Sequence, residues 1–176
     1  MFNSIRLALV FVILLSNGLS NDASAQQNGG EPIAEAQLSE LDLIVEPDGS
    51  GLPNGSGSAI EGKNVYDKYC QTCHGALGEG ATASLRLAGG DMHSTTAPIK
   101  TVGSYWPHAT TLFDYIRRAM PTTAPKSLTN QEVYQVTAYI LFLSDIIAED
   151  FVIDNKTLPA IVMPNRDGFI DKSKEH

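Results

Sequence analysis

Cysteine is nearly absent: the chain has only Cys70 and Cys73. Two thiols exclude a multiply cross-linked scaffold and a zinc site built from three or four thiolates. Positive charge is also scarce, with 12 Lys and Arg against 20 Asp and Glu and a formal net charge of -8 at pH 7. That balance argues against a nucleic-acid partner, because phosphate binding depends on positive charge. Beyond the N-terminus no apolar stretch is long enough to cross a bilayer, so no stable membrane span is expected. Alternating strand patterns and internal repeats are lacking as well. What remains is 43% hydrophobic and 18% charged, which suits a globular domain with tails.

The N-terminus reads as an export signal. Arg6 supplies the positive region and Leu7 to Leu15 an apolar run too short for a membrane helix. Ala23-Ser24-Ala25 fits a small-x-small cleavage site, so residues 1–25 are expected to be a signal peptide and the mature chain a periplasmic one starting at Gln26. Residues 26–57 are rich in Gly, Pro, Ser and Asn and hold six carboxylates with no Lys or Arg. They read as an acidic linker, with Leu41 to Val45 as an apolar patch able to dock on a domain surface.

Residues 58–148 are expected to form the domain, all-α, with three or more helices. Ser58 with Glu61 makes a capping-box pattern that opens the first helix, running through Val65, Tyr66 and Tyr69 to Cys70. A Gly-rich stretch follows, with a short helix expected around Ala83 to Leu87. Thr111 with Asp114 repeats the capping pattern for a second helix, whose apolar face is Leu112, Tyr115, Ile116 and Ala119. Pro121 stops it. Thr129 with Glu132 caps a third, with Val133, Val136, Ile140, Leu143 and Ile147 as its buried stripe. Residues 149–176 form an extended C-terminal tail. Pro159 and Pro164 forbid a long helix there, and Leu158 to Met163 is too apolar to remain solvated.

Cys70-Gln71-Thr72-Cys73-His74 is a C-x-x-C-H run, the attachment signal for c-type haem. Two thiols three positions apart on a helical turn share one side of the chain and reach the two vinyl groups of one porphyrin. The next residue, His74, is the expected proximal iron ligand. A thioredoxin-like pair needs a preceding strand in a βαβ pattern, a zinc site needs more soft ligands, and a disulfide needs no adjacent His. One covalently attached haem c is therefore expected, and an exported chain suits it.

For the second iron ligand, Met120 is expected, since it ends the second helix just before Pro121. Met92 and Met163 are the sulfur alternatives, and His93 and His108 the imidazole ones. Tyr105, Trp106 and Tyr115 either wall the haem or pack as ordinary core. Arg117 and Arg118 either pair with haem propionates or line a solvated helix face. The Pro98 carbonyl is expected to accept the Nδ1–H of His74.

The motif and helix order resemble the class I cytochrome c fold, where Gly62 and Tyr66 on the first helix meet Val136 and Tyr139 on the last. A narrower resemblance is carried by Thr101-Val102-Gly103-Ser104-Tyr105-Trp106-Pro107, by Ala109 through Pro121, and by the tail Met163-Pro164-Asn165-Arg166-Asp167-Gly168-Phe169. These segments resemble the SoxD-type cytochrome subunit of bacterial sulfite and sulfane dehydrogenases. The resemblance implies that Cys70, Cys73 and His74 are haem residues and Met120 the other iron ligand. It also implies a molybdenum-containing dehydrogenase subunit as electron donor, a further protein as downstream electron acceptor, and no catalytic residue on this chain. Some members of that family carry two haem domains, whereas this chain has a single C-x-x-C-H. A free carrier for another dehydrogenase or oxidase, and a peroxidase-like haem protein, remain as alternatives.

Overall fold

The computed structural model describes residues 32–34, 37–38, 42–82, 85–92, 94–95, 97–170 and 172. The expected signal peptide, its cleavage site, His93 and two residues of the expected short helix, Ala83 and Ser84, lie outside them. The chain divides into two units, Met1–Ala34 and Glu35–His176. Of the first, only 32–34 are described, all exposed. The second carries the fold, which is mainly helical, as the periodicity predicts.

Its elements in order are strand β1 (Ser56–Gly57), helices α1 (Ala59–Tyr69), α2 (Gln71–His74), α3 (Val102–Tyr105), α4 (Ala109–Ala119) and α5 (Asn130–Leu143), strand β2 (Ile153–Asp154) and a 3₁₀ turn at Leu158–Ala160. The Ser58 hydroxyl accepts the Glu61 N–H, and the Glu61 carboxylate accepts the Ser58 N–H at 2.9 Å, so α1 starts where its capping box places it. Thr129 and Glu132 do the same for α5.

The second long helix departs from expectation. α4 starts at Ala109, with His108 as a cap that makes no side-chain hydrogen bond. Thr111 is therefore inside the helix rather than its cap. Ala109 and Thr110 are buried in the core, so packing rather than a capping side chain sets the start. Asp114 is spent elsewhere: its carboxylate accepts the Val45 N–H at 3.0 Å and pairs with Arg118 at 2.5 Å. The expected stripe of α5 also ends early. The helix stops at Leu143, and Ile147 lies beyond it, after a turn at Asp145 with φ +57.

The core forms where α1 crosses α5, the dominant helix pairing. Gly62 permits the crossing: a Cβ there would lie 1.9 Å from the Gln135 carbonyl oxygen. Beside it the Tyr66 and Tyr139 rings pack tilted, 5.0 Å between centroids. α5 is buried on more than one face, including Tyr134, Thr137 and Leu141, because the flanking segments cover the side that α1 leaves open.

Both flanks wrap this core. Val45 is buried, Thr110 Oγ1 donates to the Pro47 carbonyl at 3.3 Å, and the Tyr134 hydroxyl donates to the Pro53 carbonyl at 2.8 Å. β1 pairs antiparallel with β2, Ser56 opposite Asp154. In the tail Ile153, Leu158 and Met163 are almost fully buried, each worth about 1.5–3 kcal/mol of burial. Asn165 Nδ2 donates to the Tyr105 carbonyl at 2.7 Å, and Phe169 packs on Tyr105 with centroids 5.1 Å apart. The apolar tail that sequence marks as needing cover thus covers its own domain.

Candidate cofactor site

Cys70 closes α1 and opens α2, donating its N–H to the Tyr66 carbonyl at 2.9 Å. The Cys73 and His74 N–H groups both return to the Cys70 carbonyl, at 3.2 and 3.0 Å. One tight turn therefore carries both thiols and the imidazole. The thiols are free, Cys70 partly buried and Cys73 exposed. Burial, with the Cys73 thiol adding to it, pushes the Cys70 thiol up to about 11. Among the described residues no three His, Cys, Asp or Glu side chains converge as ligands of one small ion, so these three do not form a compact metal cluster. They suit a large flat group bound at its rim and at its centre.

The loop after the motif folds back and locks the imidazole. Gly75 leaves α2 at φ +81, where a Cβ would meet the Glu79 carboxylate at 2.4 Å. Glu79 accepts the Leu77 N–H at 2.8 Å, and its own N–H, with that of Leu77, holds the carboxyl below the ordinary range. The Gly80 N–H donates to the His74 carbonyl at 2.7 Å, and the Leu87 N–H to the Gly78 carbonyl at 2.7 Å. The Tyr66 hydroxyl, buried in the helix crossing, donates to the Gly75 carbonyl at 2.8 Å. These bonds carry the chain to Leu85, whose carbonyl accepts the His74 Nδ1–H at 2.6 Å.

That acceptor corrects the expectation for Pro98. The glycine turns bring a carbonyl only eleven residues downstream to the ring, while residues 97–100 are exposed. Because a carbonyl can only accept, Nδ1 carries the proton, and Nε2 is the ring nitrogen left with its lone pair free. No residue-type signal marks a backbone carbonyl, so sequence had no means of choosing Leu85.

Met120 caps the C-terminus of α4, its N–H on the Ile116 carbonyl at 3.0 Å. It is partly buried and packs against the hydrophobic core, as Cys70, Trp106 and Leu128 also do. The two alternative methionine candidates sit together elsewhere. Met92 and the almost fully buried Met163 line one cavity of about 580 Å³, to which Cys70, Cys73, His74 and Met120 contribute nothing. Met163 serves as core filling under the tail.

Of the aromatic candidates, Trp106 packs edge-on against the half-exposed Tyr115 at 5.7 Å, and Tyr105 is held by Phe169. Arg117 donates to the Leu43 carbonyl at 3.4 Å and Arg118 pairs with Asp114, so both help anchor the leading flank. His108 Nδ1 and Thr137 Oγ1 are buried without a hydrogen-bond partner among the described residues. The donor set fits a haem: two unpaired thiols and an imidazole of fixed tautomer on one turn, with a partly buried thioether packed on the same core.

Comparison with known proteins agrees. Residues 57–140 match the family model described as cytochrome c oxidase, cbb3-type, subunit III. No curated protein matches the chain. A chain in the crystal structure of the sulfane dehydrogenase SoxCD from Paracoccus pantotrophus is 34% identical, with a TM-score of 0.78, covering 86% of this chain and 75% of that one. Among the described residues no helix is long and apolar enough to cross a membrane. With the helical core, the haem-compatible turn and a relative of that extent, the chain belongs to the c-type cytochromes, electron-transfer proteins built on haem c, and its kin include the SoxD cytochrome subunit.

Proposed function

We propose that the protein is a periplasmic, single-haem cytochrome that accepts electrons from a molybdenum-containing sulfite or sulfane dehydrogenase subunit and passes them to a downstream acceptor. Residues 1–25 direct export and are removed. Cys70 and Cys73 hold the haem covalently, His74 ligates its iron through Nε2, and Met120 supplies the second ligand. When bound, a haem iron cycles between ferric and ferrous states and so stores one electron at a time.

The chain's own residues set the conditions for that cycle. The Leu85 carbonyl orients the His74 ring and makes it a better donor. Met120 favours the reduced state through its thioether. The helix crossing at Gly62 and the wrapped tail keep water from the core behind Cys70. In this reading oxidation of the sulfur compound belongs to the partner subunit. The carrying observation is the imidazole locked to Leu85 on the same turn as two free thiols. The likeness to a chain of a sulfane dehydrogenase favours this donor over an unrelated one.

The test is reduction of the haem-loaded protein by the molybdenum subunit of the same organism on addition of sulfite or a sulfane substrate. Reduction within the turnover time of that subunit is expected; substrate-independent reduction would leave only a free carrier. Met120→Ala is expected to abolish the far-red thioether–iron band and to lower the midpoint potential by on the order of 100 mV, within the range of about 0.8 V that axial ligands command. An unchanged spectrum would remove Met120 as ligand and revive an open, peroxidase-like iron.

A further inference from the structure

Tyr66 holds the attachment turn at both ends. Its main-chain carbonyl accepts the Cys70 N–H at 2.9 Å, where the turn begins. Its hydroxyl donates to the Gly75 carbonyl at 2.8 Å, one residue past His74. The side chain that makes this second bond is itself fixed. Tyr66 is 0% exposed, and its ring packs on Tyr139 of α5 with centroids 5.0 Å apart. Gly62, one helical turn earlier, lets the two helices approach closely enough for that packing. Ring packing alone does not call for the hydroxyl. A phenylalanine would fill the same space, so the oxygen has a separate task.

That task lies in the loop after the motif. Burial raises the Tyr66 phenol above its ordinary range, so the group stays protonated and remains a donor. The Gly78 N–H acts on the same oxygen. The Gly78 carbonyl in turn accepts the Leu87 and Ala88 N–H groups at 2.7 and 3.1 Å. Two residues before Leu87 stands Leu85, whose carbonyl accepts the His74 Nδ1–H at 2.6 Å. A connected set of bonds thus runs from the α1–α5 crossing through Gly75 and Gly78 to the imidazole.

We infer that the Tyr66 hydroxyl is a positioning group for the iron ligand, tying the exit of the attachment turn and the orientation of the His74 ring to the helix crossing. This rests on the haem-bearing role proposed above, with His74 on the iron. Tyr66 acts through Gly75 and Gly78 and not by contact with the imidazole. Without the hydroxyl, the Gly75 carbonyl turns to water. Water at the turn favours the more highly charged ferric haem, and the potential falls.

The experiment uses the full, haem-loaded chain and reads amide hydrogen exchange and the midpoint potential. Tyr66→Phe keeps the ring and deletes the oxygen. The Cys73, His74 and Gly80 amides, whose bonds close the turn and its loop, are expected to exchange about tenfold faster, and the potential to fall. Two controls separate positioning from stability. Leu158→Ala destabilises the fold from the tail, and Tyr139→Phe removes the hydroxyl of the partner ring. Both are expected to leave the potential and the turn amides as in the wild type. Wild-type exchange and potential in Tyr66→Phe overturn the inference. So does an equal change in Leu158→Ala, which would reduce the hydroxyl to one more stabilising contact. A wild-type chain that takes up no haem in a host able to attach it is a different failure, which removes the functional proposal itself and the inference with it.

Discussion

The attachment turn and the wrapped flanks are held in opposite ways. From Cys70 to Ala88 almost every hydrogen bond is local: Cys73 to Cys70, Gly80 to His74, Leu77 to Glu79, and His74 to a carbonyl eleven residues on. The flanks are anchored across the chain: Val45 to Asp114, 69 residues apart, Tyr134 to Pro53, 81 apart, and Asn165 to Tyr105, 60 apart. The cofactor turn is closed mostly by bonds within its own segment, while the flanks depend on a finished core. The difference separates loss of haem geometry from loss of overall stability, and substitutions in the two regions can test it.

The largest effect belongs to the tail. Leu158→Ala empties a fully buried site and is expected to cost about 2–5 kcal/mol in denaturant unfolding, with the haem spectrum of the folded holoprotein unchanged. A loss under about 1 kcal/mol would show the tail to be ornamental. Asp114→Ala comes next. It removes the acceptor for the Val45 N–H and the partner of Arg118, for an expected loss of about 1–3 kcal/mol, and increased proteolysis of the leading flank checks it.

The smallest effect is a local cap. Thr129→Ala is expected to cost about 1 kcal/mol. It also carries a pH signature. The Thr129 N–H and hydroxyl hold the Glu132 carboxyl below its ordinary 4.5, so its contribution is present above that value and is lost as pH falls through the lowered one. The difference between wild type and Thr129→Ala in urea midpoints should therefore shrink on acidification; a difference that grows would reverse the assigned sign.

The same contrast explains what could be read from sequence. Ser58–Glu61 and Thr129–Glu132 are legible because donor and acceptor lie three residues apart and both residue types are specific. The C-x-x-C-H turn is legible for the same reason. Thr111 and Asp114 have that spacing too, yet Asp114 is claimed by a backbone N–H from a distant segment. Leu85 in place of Pro98 was hidden because the acceptor is a main-chain carbonyl, which any residue offers. The tail was legible as apolar but not as to what it covers, since that depends on side-chain contacts separated by much of the chain.

The most direct measurement is the intact mass of the mature protein made in a host with c-type haem maturation, taken after denaturation and acid extraction of free haem. The account predicts the mass of the chain from Gln26 plus one haem, falling to the polypeptide alone when Cys70 and Cys73 are both replaced by Ala. A wild-type chain weighing only its amino acids under those conditions would contradict it.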